Sequence, residues 1–97
     1  MIIAEVAIFP TSEGSSVSRY VKEVLRVLEA SGLKTQTGAM ATVIEAPDLA
    51  TLFGTIAQAD AALASMGVGR IHIDLRVDHR LDKEASMASK LAAVGKG

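Results

Sequence analysis

The sequence contains no cysteine and no tryptophan among its 97 residues, and only two phenylalanines and one tyrosine. Without cysteine, the chain can form no disulfide, bind no metal through thiolates and offer no cysteine nucleophile. With so few aromatic side chains, its core must be built from Ile, Val, Leu, Ala and Met. The length predicts a single domain over residues 1–97, with one modest hydrophobic core.

The sequence also lacks an excess of either charge. Its formal net charge is −1, and the ten basic residues are scattered along the chain. Nucleic-acid-binding domains concentrate basic residues on one face, so we expect no nucleic-acid partner. There is no apolar run of about 18 residues and no basic region typical of a signal peptide. These features predict a cytoplasmic protein without a membrane partner.

The N-terminal segment predicts a buried strand followed by a loop. Residues 1–9 are apolar apart from one glutamate, and Pro10 is expected to end the strand because it has no N–H for a ladder. A Gly/Ser segment follows, in which Ser15 or Ser16 is predicted to cap the next helix. Such a loop can also hold a polar ligand group, although a well-capped helix start is the simpler interpretation.

Three segments have the apolar spacing of a helix. The first starts at Val17 and ends at Gly32, where glycine can adopt a left-handed conformation. The second follows Asp48, its expected cap, and ends at Gly67. The tail after Asp82 predicts a helix too short to be stable unless it packs against something. The apolar stripes of the second helix and the tail are Leu49, Leu52, Phe53, Ile56, Leu63 and Met66, and Met87, Leu91 and Val94.

The remaining segments predict strands. Leu33–Thr37 and Ala41–Glu45 are short candidates joined by a hairpin turn at residues 38–40. Arg70–Asp78 alternates between apolar and polar residues. The order strand, helix, strand, strand, helix, strand is the ferredoxin-like βαββαβ pattern. We therefore predict an α+β sandwich in which two helices cover one face of a four-stranded antiparallel sheet. Strands one and three should be central neighbours, and a short C-terminal helix should follow the last strand.

The sheet face without helices is predicted to carry both apolar and charged side chains. By alternation these are Glu5, Ala7, Phe9, Lys34, Gln36, Val43, Glu45, His72, Asp74, Arg76 and Asp78. In the third strand, Thr42 and Ile44 could face outward instead. Such a face is too apolar to leave exposed and too charged for a core. We expect a second subunit to cover it, giving a dimer or tetramer, with the tail helix helping to hold that partner.

No pattern in the sequence indicates catalysis or metal binding. Ser16, His72 and Asp74 can be written as a triad, but there is no nucleophile-elbow motif around the serine. The spacing of His72, Asp74 and the charged segment 78–82 matches no standard metal site. A solvated strand end with local ion pairs is the better interpretation. We expect a protein that is not an enzyme and that has no metal or cofactor.

Four segments carry a family resemblance. They are residues 3–10 (IAEVxIFP), 16–21 (SVSRYV), 40–45 (MxTVIE) and 78–83 (DxRxDK). Together they resemble the small thiamine-binding (YkoF-like) proteins over nearly the whole chain, in order and at matching distances. This chain departs from them by Gly38-Ala39 where His-Pro often precedes the methionine, by Ala41 in place of Gly, and by His79 in place of Asp.

The resemblance implies a ferredoxin-like subunit of dimers and tetramers that binds thiamine or its hydroxymethylpyrimidine part without turning it over. Carboxylates suit such a ligand because they accept hydrogen bonds from its amino group and attract its thiazolium cation. An aromatic ring could add a cation–π contact. The candidate ligand-binding residues are Glu5, Phe9, Ser16, Ser18, Thr42, Glu45 and Asp74. Two other functions remain open: an ACT-like amino-acid-sensing regulatory module, and a small isomerase-like enzyme built at a dimer interface.

Overall fold

The computed structural model describes residues 1–96, so the domain predicted over 1–97 includes one residue, Gly97, outside the described residues. Its elements are β1 (Ile2–Pro10), α1 (Ser18–Ala30), β2 (Lys34–Thr37), β3 (Thr42–Ala46), α2 (Leu49–Ala64), β4 (Ile71–His79) and α3 (Met87–Ala93). The antiparallel sheet has the order β2-β3-β1-β4. This confirms the ferredoxin-like fold and the central position of strands one and three.

The hydrophobic core lies between the sheet and the two long helices. From β1, the alternate residues Ile2, Ala4, Val6 and Ile8 face the helices and are buried. Leu28 of α1 and Leu63 of α2 pack on them from the other layer. The core is therefore aliphatic, as the scarcity of aromatic residues predicted.

The end of α1 and both ends of α2 follow the predictions. The Asp48 carboxylate accepts a hydrogen bond from the N–H of Thr51 at 2.7 Å, which caps α2. Gly32 and Gly67 have φ angles of +85° and +81°, a region that glycine enters at little cost. Each therefore turns the chain just after its helix.

The start of α1 differs from the prediction. Val17 is the N-cap residue and no side chain caps the helix, so the assignment of Ser15 or Ser16 as cap was wrong. The preceding loop is instead tied to β4. The Ser12 hydroxyl accepts hydrogen bonds from the N–H groups of Gly69 and Arg70 at 2.9 and 3.1 Å. This long-range attachment directs the loop toward the sheet and delays the first helical turn.

The two apolar segments nearest one edge of the sheet are less buried than predicted. β4 alternates as expected, but Ile73 and Val77, which face the helix layer, are each 40% exposed because β4 is an edge strand. On α2, Leu49 and Phe53 belong to the predicted stripe yet are 38% and 49% exposed. The buried side of α2 consists of Leu52, Thr55, Ile56, Ala59 and Leu63.

The sheet face opposite α1 and α2, called the open face below, is partly covered by the chain's own tail. Met87 of α3 and Ala85 pack on Ile3 and Val43. The tail helix thus has the support that its shortness requires. The expectation that this face carries no helix was wrong, because α3 lies on part of it. Within residues 1–96, no helix is both long enough and apolar enough to cross a membrane.

Candidate functional site

The start of α3 is attached to the open face through a buried carboxylate. Glu45 is only 8% exposed, and its Oε2 accepts a hydrogen bond from the N–H of Met87 at 3.2 Å. The ammonium of Lys34 lies 3.9 Å from the same oxygen. Ser86 and Ser89 form a reciprocal capping box at this helix start. Glu45 therefore faces the open side of the sheet, as predicted, and there it anchors the tail helix.

A second attachment holds the middle of α3. The Lys90 ammonium lies 2.6 Å from Oδ2 of Asp78 on β4. This hydrogen-bonded ion pair lowers the pKa of Asp78 below its ordinary value. α3 is thus bound to β3 through Glu45 and to β4 through Asp78, so that it crosses β1 between them.

Between α3 and the β2–β3 hairpin lies a cavity of about 510 Å³, called the tail pocket. Its polar side chains include Glu5, Gln36 and Lys90, and most of the wall is apolar. A largely apolar pocket of 300–1,000 Å³ with a few polar groups is typical of small-molecule sites. The lining residues are Ile3, Glu5, Gln36, Thr37, Gly38, Ala39, Met40, Ala41, Val43, Met87, Lys90 and Leu91.

Glu5 occupies the centre of this region. It also lines a neighbouring cavity of about 310 Å³, which reaches toward β4 and shares Ile3, Val43 and Lys90 with the tail pocket. The Glu5 carboxylate is 49% exposed and lies 3.8 Å from the guanidinium of Arg76. Unlike Glu45, it forms no hydrogen bond to the backbone of α3 that would occupy it. It is therefore the carboxylate best placed to meet a ligand.

The remaining part of the open face lies beyond α3. Here the ring of Phe9 stacks on His72, with the ring centroids 5.1 Å apart. Nε2 of His72 lies 3.2 Å from Oδ1 of Asp74. Phe9 is half-buried, whereas the side chains of His72 and Asp74 are 48% and 71% exposed. This half of the face is a mixed surface that the described chain leaves uncovered.

The other sequence candidates lie elsewhere. Thr42 is 4% exposed and points to the helix layer, where it and Phe9 line a smaller cavity of about 170 Å³ beside α1. Ser16 and Ser18 are exposed at the start of α1. The structure therefore brings Glu5 to the tail pocket, with Glu45 behind α3, and keeps both serines apart from that group. Their part in binding stays a prediction.

The loop before α1 has its own polar network. The Tyr20 hydroxyl donates to Oε1 of Glu13 at 3.0 Å, and the Ser12 hydroxyl donates to its Oε2 at 2.7 Å. These hydrogen bonds hold the pKa of Glu13 below its ordinary value. The network closes the loop on itself, so its polar groups serve the local structure.

Sequence reasoning missed several residues of the tail pocket. Gln36 was placed on the open face but not proposed as a ligand-binding residue. Met87 and Leu91 were recognised as one apolar stripe, yet that stripe was assigned to holding a partner subunit. Lys90 was not singled out at all. The unusual length of the tail beyond the last strand was the available signal. Among residues 1–96, no group of three or more His, Cys, Asp or Glu side chains could hold a metal ion.

Comparison with known proteins identifies the family. A family model described as "Thiamine-binding protein" matches residues 4–95. The chain belongs to this family. A UPF0045 protein of Methanocaldococcus jannaschii, MJ1052, is 38% identical over 94 residues, covering 97% of this chain and 92% of that protein. The UPF0045 protein YqgV of Bacillus subtilis is 39% identical over 101 residues, covering 99% and 96%. The resemblance found in the sequence is thereby confirmed.

Solved structures confirm the fold of this thiamine-binding-family chain. The crystal structure of MJ1052 aligns with a TM-score of 0.89 over 98% of this chain and 96% of that one, at 38% identity. A Thermotoga maritima protein, described as a candidate for thiamine biosynthesis or salvage, aligns with a TM-score of 0.82 over 96% and 97%. Its identity is 13%, so that likeness concerns the fold alone.

Proposed function

We propose that this protein binds thiamine, or its hydroxymethylpyrimidine part, in the tail pocket without turning it over, and that a second subunit completes the site. The observation that carries the proposal is the Glu5 carboxylate in a largely apolar pocket, in a chain of the thiamine-binding family. The proposed unit is a single ferredoxin-like thiamine-binding domain over residues 1–97.

The pocket offers the chemistry that such a ligand requires. The Glu5 carboxylate would accept a hydrogen bond from the aminopyrimidine and attract the thiazolium cation, an interaction of the charge-assisted class. The Gln36 side-chain amide can both donate and accept at the edge of the pyrimidine. Ile3, Val43 and Met87 supply apolar surface for the flat ring. Polar groups at one end and apolar walls around the ring would orient the ligand.

The proposed subunit interface is the uncovered half of the open face. Ala7 and Phe9 of β1 are only partly covered there, beside His72 and Asp74 of β4. Half-buried apolar groups gain from being covered, and a carboxylate at the rim can remain hydrated. A second copy packed on this half would close the pocket side that β1 and the hairpin leave open. Phe9 and Asp74 would then border the ligand.

The other candidate residues keep narrower roles in the proposal. Glu45 would act through α3, because its carboxylate already accepts the Met87 N–H. Ser16, Ser18 and Thr42 would contribute only if the partner subunit brings its first helix or hairpin to the pocket. The proposal assigns no turnover, since the His72–Asp74 pair is exposed and Ser16 lies in the loop before α1.

Calorimetry on carboxylate variants tests the proposed function. Thiamine, hydroxymethylpyrimidine and a panel of amino acids are titrated into the wild type, Glu5→Gln and Glu45→Gln. We expect Glu5→Gln to lose about 1.5–3 kcal/mol of thiamine binding, the range for a hydrogen bond to a charged group. Glu45→Gln should lose less, because Gln still accepts from the Met87 N–H.

The control is Glu29→Gln, which removes an exposed carboxylate from α1. It should bind like the wild type at low and high salt, since surface charges contribute a few tenths of a kcal/mol that salt screens. If Glu5→Gln also binds like the wild type at both salt concentrations, Glu5 is not in the site. Binding of an amino acid in place of thiamine would support the regulatory-module alternative instead.

A further inference from the structure

β4 is an unusually open sheet edge. It is nine residues long, contains no Pro, Gly or Lys, and has no partner strand on its outer side within residues 1–96. The opposite edge strand, β2, has only four residues and begins with Lys34. Natural sheets protect exposed edges by short strands, by lysine or by proline, because unpaired backbone groups attract other chains. β2 has this protection and β4 does not.

The helix beside β4 is also unusually apolar. α2 contacts β4 and has one charged residue, Asp60, among its 16 residues, whereas α1 has five in 13. A helix that is apolar on all sides is normally buried. Its outer side nevertheless exposes Phe53 at 49%, and the neighbouring strand exposes Ile73 and Val77 at 40% each. The unpaired edge and an apolar surface therefore lie on the same side of the molecule.

We propose that β4 pairs antiparallel with β4 of a second copy, around a two-fold axis at Leu75, so that the two four-stranded sheets become one continuous sheet. Leu75 is the midpoint of Ile71–His79, so this register lets every residue of the strand take part. The same pairing would bring the exposed sides of the two α2 helices toward each other. This surface is distinct from the open-face interface of the proposed function.

The charges of the strand select this register. With the axis at Leu75, Asp74 lies opposite Arg76 of the second copy and His72 lies opposite its Asp78, while Ile73 meets Val77 on the helix side. Arg76 is 86% exposed and free to turn toward its new partner. Opposite charges that face each other across strands stabilise a sheet, and like charges destabilise it.

The neighbouring registers are unfavourable for the same reason. An axis one residue earlier places Asp74 opposite Asp74 of the second copy. An axis one residue later places Arg76 opposite Arg76. The sequence IHIDLRVDH is thus complementary to its own reverse about its central leucine, which identifies a second copy of this chain as the partner.

A charge-reversal series tests the pairing. Asp74→Arg and Arg76→Asp each place two pairs of like charges across the two-fold axis, so each should raise the dimer dissociation constant about tenfold or more at low salt. The double variant Asp74→Arg/Arg76→Asp restores opposite charges and should dimerise like the wild type. Sedimentation equilibrium without ligand measures this. Unchanged single variants, or a double variant as weak as the singles, would overturn the proposal and leave the binding proposal untouched.

Introduced cysteines test the register, and the chain's lack of cysteine makes them its only thiols. Ile73→Cys and Val77→Cys proteins are oxidised separately and as a mixture. Opposed residues in an antiparallel pair are close enough for a disulfide, whereas two cysteines that both replace Ile73 would be about 13 Å apart, beyond the limit of about 7 Å. We expect a disulfide-linked heterodimer in the mixture and almost none in either variant alone.

Leu91→Cys, a site of similar exposure on α3, is the control for random collision. Its yield should stay at the level of the separate variants. A mixture that gives no more cross-linked product than Leu91→Cys would overturn the proposed register, and equal yields from the separate and mixed samples would do the same.

Discussion

Glu5 and Glu45 show how two like residues on one sheet face acquire different roles. Both point away from the core by strand alternation, and both were candidates for ligand binding. Glu5 is 49% exposed and lines the tail pocket, whereas Glu45 is 8% exposed and accepts the Met87 N–H. Their surroundings differ because α3 lands on one and beside the other. The position of α3 therefore decides which carboxylate a ligand can reach.

The role of Glu45 predicts a stability effect that distinguishes two substitutions. Glu45→Ala removes the acceptor and leaves a buried N–H without a partner, which should cost about 1–3 kcal/mol. Glu45→Gln keeps an acceptor oxygen and loses only the charge, so it should cost less than about 1 kcal/mol. Urea unfolding measures both, with hydrogen exchange of the α3 amides as the local readout. Equal losses for the two substitutions would contradict the hydrogen-bonding role.

At the scale of an element, α3 is the feature that converts a plain sheet face into a pocket. Its seven residues are too few for a stable isolated helix. It depends on Met87 in the apolar cluster, on Glu45 at its start and on the Lys90–Asp78 pair. Weakening any of these should loosen α3 before the rest of the fold, because the main core lies on the other side of the sheet.

The Lys90–Asp78 pair makes this attachment sensitive to acid. Folding lowers the pKa of Asp78 from 3.8, so the stabilisation is fully present above that pH and is lost as the pH falls through the lower folded-state value. We expect hydrogen exchange in α3, corrected for its intrinsic pH dependence, to lose protection below about pH 4. Asp78→Asn should show weaker protection at neutral pH and little of this acid dependence.

Glu29→Gln, an exposed change on α1, serves as the comparison for the acid titration. Its α3 amides should follow the wild type throughout. If Asp78→Asn follows the wild type as well, the ion pair does not hold α3.

Local patterns predicted most of the elements, and long-range contacts explain the differences. The alternation in β4 and the Asp48 cap of α2 depend on neighbours within a few residues, so the sequence was sufficient. The start of α1 depends on Ser12 meeting Gly69, and the tail pocket depends on Glu45 meeting Met87. Neither contact leaves a periodic signal. The alternation could place Glu5 on the open face, but it could not show that α3 builds a pocket over it.

For the whole molecule, the two proposed interfaces use different surfaces. The open face would be covered by one neighbour, and the β4 edge would pair with another. Two two-fold interfaces on one subunit generate a closed tetramer, a common symmetric assembly. The dimer or tetramer expected from the sequence would then correspond to the use of one or both surfaces.

Single substitutions should separate the two interfaces. Phe9→Glu places a charge in the open-face contact, where an unpaired buried charge costs several kcal/mol, so it should leave a dimer joined at β4. Ile73→Lys should disrupt the β4 pairing and leave the open-face dimer. Sedimentation velocity, with a subunit mass of 10.1 kDa, resolves these species. A wild type that sediments as a monomer at micromolar concentration would contradict both interfaces.

The central position of β1 has a consequence for synthesis on the ribosome. Ile2 pairs with Ala46 and with His79, so neither neighbouring strand exists when β1 leaves the exit tunnel. An apolar strand of nine residues must therefore wait, unpaired, while most of the chain is made. Pairing over such separations is intrinsically slow. The lone Glu5 in this strand interrupts a segment that would otherwise favour aggregation, so the residue proposed to recognise the ligand would also protect the nascent chain.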